Sequence, residues 1–284
     1  METIINGFKT NRAFAVTSVL VLCLLLIAIA APVIAPYDPT HAVMKDAFLE
    51  PGAQHLFGTD KLGRDCFSRV LYGARASLSG VLFLVASVFI VGTSMGVISG
   101  YFGGKVDMVI MRISDMMISF PGMILAIAVA GIMGGSLVNA VIALTIVSWT
   151  KYARLSRSLV LQIKSRDYVE AAIVNGGTSP HILWVHILPN ILPMMVITAA
   201  ADIGALMMEL ASLSFLGFGS QPPAPEWGLM LNEGRQQLQT APWLMVFPGL
   251  AIFVTVVIFN LWGDNLRDVL DPRNDVQDLS LIHI

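Results

Sequence analysis

The run MMISFPGMILAIAVAGIMGGSLVNAVIALTIVSWT, residues 116–150, decides the fold class. It holds 35 consecutive residues without a charge, more than one helix needs to cross about 30 Å of hydrocarbon. Gly134-Gly135 interrupts it, so it reads as two short helices joined by a tight turn. Four further apolar runs flank it: Ala13 to Ala35 and Ala76 to Gly100 before, Ile191 to Leu216 and Ala241 to Gly263 after. Only Ile191 to Leu216 carries charges, Asp202 and Glu209. The runs divide into about six spans, which predicts an all-α polytopic membrane protein, since in lipid every backbone polar group must be satisfied within the segment.

Composition agrees. With 56% hydrophobic and 13% charged residues and a mean hydropathy of +0.75, an ordinary soluble domain of 284 residues is excluded. A net charge of −2 leaves no basic face for nucleic acid. Cys23 and Cys66 have no CxxC or histidine company, so neither a disulfide framework nor a zinc site is indicated. The first apolar run exceeds a signal-peptide core and no Ala-x-Ala site with a soluble domain follows it, so it is kept as a helix.

Basic residues favour the cytoplasmic side of a membrane. With the N-terminus inside, Lys9, Arg12, Lys105, Arg112, Lys151, Arg154, Arg157, Lys164, Arg166, Arg267 and Arg273 fall on that side, against Lys45, Lys61, Arg64, Arg69, Arg75 and Arg235 on the other. Both termini are therefore expected to be cytoplasmic. The expected organisation is a cytoplasmic N-terminus over 1–12 and a transmembrane domain over 13–273. Within that domain, outer loops cover about 36–75 and 217–240, and a cytoplasmic loop covers about 151–190. The tail 274–284 ends in six residues that need not be native.

The loop 151–190 carries helix signals of its own. Asp167 is expected to cap a helix whose third position is Glu170, and Gly176-Gly177 to end it. Ser179-Pro180 starts a second helix, and Leu188-Pro189 stops it before the next span. Local pattern leaves two readings open: an amphipathic hairpin that caps the bundle, or a surface presented to a partner, with Ala171 and Ala172 small enough for close approach.

Glu170-Ala171-Ala172, three residues, Gly176, then Leu188-Pro189 resembles the EAA loop of binding-protein-dependent ABC importer permeases. The family pattern has isoleucine where this chain has His186, with Ile187 one place later. Phe57-Gly58-Thr59-Asp60-Lys61-Leu62-Gly63-Arg64-Asp65 resembles the GTDxLGRD hallmark of the C-type permease subunits of peptide and nickel importers. So do Ser214 to Gly219 with Pro222-Pro223 and Glu226-Trp227-Gly228, and the C-terminal set Gly263-Asp264, Leu266-Arg267-Asp268 and Leu270-Asp271-Pro272-Arg273. The similarity runs in order from about residue 10 to residue 273.

The resemblance implies a type I ABC importer permease in a bacterial or archaeal cytoplasmic membrane. It implies a homologous second permease as heterodimer partner, two ATPase subunits that use ATP and magnesium, and an extracytoplasmic substrate-binding protein. Asp167, Tyr168, Glu170, Ala171, Ala172, Gly176, His186, Leu188 and Pro189 would form the lever that docks on an ATPase. No catalytic residue, cofactor or metal is expected in this chain itself. The implied cargo is a di- or oligopeptide, with nickel or a nickel chelate as the alternative.

Other motif-like strings fail on context. Gly103-Gly104-Lys105 lacks the glycine at 99 and the Ser or Thr at 106 of a phosphate loop. Gly92-Thr93-Ser94-Met95-Gly96 spells a nucleophile elbow but lies inside an expected span. Gly92, Gly96 and Gly100 recur every four residues, which marks a helix-packing face. His181 and His186 lack the HExxH spacing, and the methionines Met108, Met111, Met116, Met117 and Met123 read as packing residues. Phe67, Val70, Leu71, Ala74 and Leu78 form an apolar stripe, expected to lie on the outer membrane surface with Arg64, Arg69 and Arg75 largely elsewhere.

Asp202 and Glu209 stand seven apart on one helix face, and charge at bilayer depth is costly unless it is paired or faces a polar cavity. Two readings follow: a hydrogen bond to another helix or to the partner permease, or a lining of the translocation path that attracts a cationic group. A secondary transporter could use the same pair as a proton relay, but would need no lever around Glu170.

Overall fold

The structure, a computed structural model, describes residues 11–270. Lys9, the Asp271-Pro272-Arg273 part of the C-terminal signature and the tail lie outside the described residues. The long helices are α1 (Arg12–Ile34), α2 (Cys66–Phe102), α3 (Gly104–Ile118), α4 (Gly122–Met133) and α5 (Leu137–Lys164). They are followed by α6 (Asp167–Val174), α7 (Ser179–Phe215), α8 (Trp227–Gly234) and α9 (Trp243–Leu270). Among the described residues there is no strand, only one isolated bridge between Thr59 and Asp65.

Short polar side chains start the helices. The Asn11 carboxamide oxygen accepts from the Phe14 N–H at 3.1 Å and begins α1, and the Asp65 carboxylate accepts from the Ser68 N–H at 2.7 Å and begins α2. Gly103, with φ of +64°, separates α2 from α3.

Helices α1, α2, α7 and α9 are each long and apolar enough to cross a membrane, and α3 with α4 is apolar enough only as a pair, bent by 95°. The close pairing of α2 with α5 shows that α5 crosses as well. Gly80 meets Leu137, Gly92 meets Trp149 and Tyr152, Gly96 meets Ala153 and Ser156, and Gly100 meets Arg157 and Val160. Both partners advance in the same direction, so the two helices are parallel. The chain between them must then recross the full depth, and α3 and α4 do so in two pieces. Helix α4 has 12 residues, about 18 Å, and is too short to cross alone.

Four expectations are corrected here. The run 116–150 is not a pair of short helices. The turn at Gly134 forms, with φ of +85°, but Pro121 breaks the first half again, and α5 continues through Lys151 to Lys164. The loop expected over 151–190 is accordingly only the connection 165–178 together with α6. Leu188-Pro189 does not stop a helix, because α7 runs unbroken from Ser179 to Phe215. Its residues Ile182–Ile187 form a π-turn in which the Leu188 N–H reaches back to the Leu183 carbonyl. That widened turn makes room for the Pro189 ring, which in a regular α-helix clashes with the carbonyl four residues earlier. The stripe from Phe67 to Leu78 is not a surface-lying helix either. It forms the first turns of α2, whose 37 residues give a rod of about 55 Å that stands well beyond the hydrocarbon.

The face bearing Gly92, Gly96 and Gly100 is buried against α5. A Cβ at Gly92 would lie 2.5 Å from the Trp149 carbonyl oxygen, and one at Gly96 would overlap the Ser156 hydroxyl and the Ala153 carbonyl. Backbone is the obstacle in each case, so a larger residue must push the helices apart. Gly96→Ala is expected to cost about 1–3 kcal/mol and to lower the thermal midpoint of the detergent-purified protein. Gly96→Leu should abolish recovery of a monodisperse species in size-exclusion chromatography, and an unchanged elution profile would refute this account of the α2–α5 contact.

Candidate functional site

Helix α6 is an eight-residue insertion between α5 and α7. It begins at Asp167 with Arg166 as its N-cap, and no side chain caps it. This corrects the expected capping box: the Val169 and Glu170 N–H groups both bond to the Arg166 carbonyl, so the helix starts one residue early. Asp167 and Glu170 instead occupy its first turn, where carboxylates favour the positive end of the helix dipole. The helix ends in a Schellman motif: Gly176, with φ of +81°, donates to Ile173, and Gly177 donates to Ala172.

Val169 anchors α6 in the core, while Asp167, Tyr168, Glu170 and Ala171 are exposed and Ala172 is half-buried. The structure brings His186 to this surface, its ring 6.2 Å from Tyr168 and 5.8 Å from His181. Leu188 is half-buried and Pro189 exposed on the neighbouring turn, and Gly176 is exposed at the end of α6. Trp184, which no sequence motif singles out, is 72% exposed beside them. The π-turn sets its direction, and no local pattern announces a π-turn.

Further along the same helices lies a cavity of about 320 Å³ between the α3–α4 break, α5 and α7. Asp202 and Glu209 both line it. The Lys151 ammonium of α5 donates to both Asp202 oxygens, at 2.7 and 2.8 Å, and the Ser148 hydroxyl donates to Glu209 at 3.4 Å. Arg154, Arg157 and Lys164, also expected in a loop, belong to α5 too. Arg154 bonds Asp115 at 2.6 Å, and Arg157 grips Asp107 through two nitrogens at 2.5 and 2.6 Å. Lys151, Arg154 and Arg157 recur every third residue, a spacing that keeps them in helical phase. That phase is the sign, available in the sequence, that the helix does not stop at Thr150.

At the opposite end of the bundle, the segments before α2 and around α8 lock together. Asp60 accepts from the Arg64 Nε at 2.6 Å, and Glu233 of α8 accepts from Arg64 at 3.1 and 3.2 Å and from Arg69 at 2.7 Å. Both arginines stand off the apolar stripe, yet they are only 1% exposed. Their burial has a physical cause: two carboxylates from distant segments balance their charge. The Glu226 carboxylate caps α8 by accepting from the Gly228 and Leu229 N–H groups at 2.9 and 2.8 Å, and from the Ser77 hydroxyl at 3.2 Å. Burial pushes the Glu226 carboxyl up from its ordinary value, and these N–H bonds oppose that rise. The Trp227 indole donates to the Val70 carbonyl at 2.9 Å across the Gly73 surface. Sequence reasoning misses Glu233 because nothing in its own neighbourhood names a partner 169 positions away.

Among the described residues, no three or more His, Cys, Asp or Glu side chains gather closely enough to hold a metal ion. Removing one member of a buried charge network leaves its partners uncompensated, at about 3–5 kcal/mol. Glu233→Leu is therefore expected to lower the thermal midpoint of the purified protein and to open the segment 36–65 to protease. An unaltered midpoint would show that the network adds nothing to stability.

Residues 92–276 match the binding-protein-dependent transport system inner membrane component, and residues 3–51 match the N-terminal TM domain of oligopeptide transport permease C. The dipeptide transport system permease protein of Alkalihalophilus pseudofirmus is 43% identical over 265 residues, covering 93% of this chain and 87% of the relative. The glutathione transport system permease protein of Pectobacterium atrosepticum is 44% identical, covering 94% of this chain and 89% of its own length. The nickel transport system permease protein of Escherichia coli is 39% identical, covering 94% and 97%. A solved chain of the inward-facing MetNI methionine ABC transporter superposes with a TM-score of 0.59 at 20% identity, over 72% of this chain and 97% of that one. The helical arrangement is thus that of an ABC importer permease, and the chain belongs to the family of binding-protein-dependent transport system inner membrane components.

Proposed function

We propose that this chain is the permease subunit of an ATP-driven importer of di- or oligopeptides. It works beside a second permease, with two ATPases on the α6 side and a substrate-binding protein on the side of the Arg64–Glu233 lock. The observation that carries this reading is α6: a short helix, exposed on one face and anchored by buried Val169, joined directly to two spanning helices. The family it belongs to and its peptide-transporting relatives supply the substrate class. Closure of the ATPases on ATP displaces α6, and α5 and α7 move with it because the connections on either side are short. Through Arg154 and Arg157, α5 moves α3 as well, so the cavity holding Asp202 and Glu209 is reshaped as a unit. Cargo enters from the binding protein, and hydrolysis returns the bundle to its resting arrangement.

The nickel-transporting relative supports a second cargo, nickel or a nickel chelate, on the same machinery. Uptake of radiolabelled dialanine against uptake of nickel, in cells that depend on this system, separates the two.

Reversing the charge at Glu170 tests the lever. Glu170→Lys is expected to reduce ATP-driven dipeptide uptake about tenfold or more, the equivalent of losing roughly 1.4 kcal/mol of docking. The ATPase subunits should also co-purify less well while the permease stays folded. Wild-type uptake in that variant would remove the coupling role from α6.

A further inference from the structure

The cavity between the α3–α4 break, α5 and α7 contains three charged side chains, Lys151, Asp202 and Glu209, and among the described residues no other lines it. With both carboxylates ionised it is one positive charge short of neutrality. The pairing inside it is lopsided. Asp202 is held on α7 with its side chain 16% exposed, whereas the Lys151 side chain is 62% exposed and reaches the carboxylate with its terminal ammonium. The other α5 cations that meet acids, Arg154 and Arg157, are guanidinium groups, and Arg157 grips Asp107 through two nitrogens, an arrangement that resists displacement. A single lysine on a flexible stem is a point charge, and an exposed pair of this kind is easily exchanged for another cation.

Two polar groups at the site are left without full partners. Glu209 has only the long contact from Ser148. Tyr152 is 1% exposed and lines the cavity with Asp202, and its buried hydroxyl has no hydrogen-bond partner. Opposite them, Met117, Ile118 and Phe120 at the broken span supply an apolar wall. The volume of about 320 Å³ lies within the range of small-ligand sites.

We propose that Asp202, Glu209 and the Tyr152 hydroxyl form a binding site for the primary ammonium group of the cargo, and that Lys151 is its resident occupant, displaced when cargo enters. The inference rests on the reading of this cavity as part of the translocation path. Lys151 then serves two ends: it keeps the carboxylates satisfied between transport events, and it sets a threshold that neutral solutes cannot cross, since only a competing cation compensates Asp202. The apolar wall takes the carbon skeleton attached to that ammonium.

The test uses the complete importer in lipid nanodiscs, with n-propylammonium as probe and 1-propanol as its neutral counterpart. Lys151→Met empties the site. Propylammonium is expected to raise the thermal midpoint of that variant saturably, and to need a higher concentration for the same shift in the unaltered complex, where it must first displace Lys151, with propanol inert on both. Adding Asp202→Asn or Glu209→Gln to Lys151→Met should remove the shift. Equal responses to ammonium in the variant and the unaltered complex, or equal responses to ammonium and propanol, overturn the proposal. Failure of both Lys151→Met and Lys151→Gln to assemble makes the pair a structural bridge and overturns it too. Dipeptide uptake by the unaltered complex in the same lipids tests the importer reading separately: an ammonium-specific shift without uptake keeps the site and removes the peptide cargo, and uptake without the shift does the reverse.

Discussion

The contact on which the architecture depends is the parallel packing of α2 against α5, backbone against backbone at Gly92 and Gly96. Between helices in lipid there is little hydrophobic force to gain, so close approach through small residues supplies the attraction. Because the pair is parallel, the chain between its members has to return across the membrane, and it does so through α3 and α4, broken at Pro121. That broken return is what leaves a cavity beside α5 and α7. Three cations of α5, Lys151, Arg154 and Arg157, then find acids on α3 and α7 within reach. One tight interface therefore sets the register of every charge pair around the cavity.

Charge is handled differently at the two ends of the bundle. At the lock, Arg64 and Arg69 are buried with Asp60 and Glu233 from separate segments. The desolvation of such groups is offset only while every partner stays in place, which favours a rigid frame at that end. Toward α6 the pairs are partly exposed and the backbone carries a π-turn, a broken span and a short connection. Irregular backbone next to a cavity is the kind of element that has two arrangements close in energy. One end of the bundle is therefore stiff and the other adaptable.

Much of the architecture is legible in the amino-acid order. Uncharged runs of the right length specify spanning helices, because bilayer thickness and the need to satisfy backbone groups leave no other solution. The positions of Gly134 and Gly176 mark turns through local sterics alone. The charged half of α5 misleads for an equally physical reason. Charge ordinarily means water, whereas Lys151, Arg154 and Arg157 are tolerated in a spanning helix because acids on other helices meet them. Pro189 misleads in the same way, since the local rule that makes it a stop is sound and only the π-turn before it suspends the rule.

The sequence by itself determined that this chain spans a membrane several times, and which stretches do so, because those properties depend on each segment's own solvation. The tertiary structure alone decided that Glu233 closes on Arg64 and Arg69, that Lys151 sits in the cradle of Asp202, and that His186 and Tyr168 share one surface. Each of these joins residues from different helices. Their meeting is set by how the helices pack, and packing is a property of no segment taken alone.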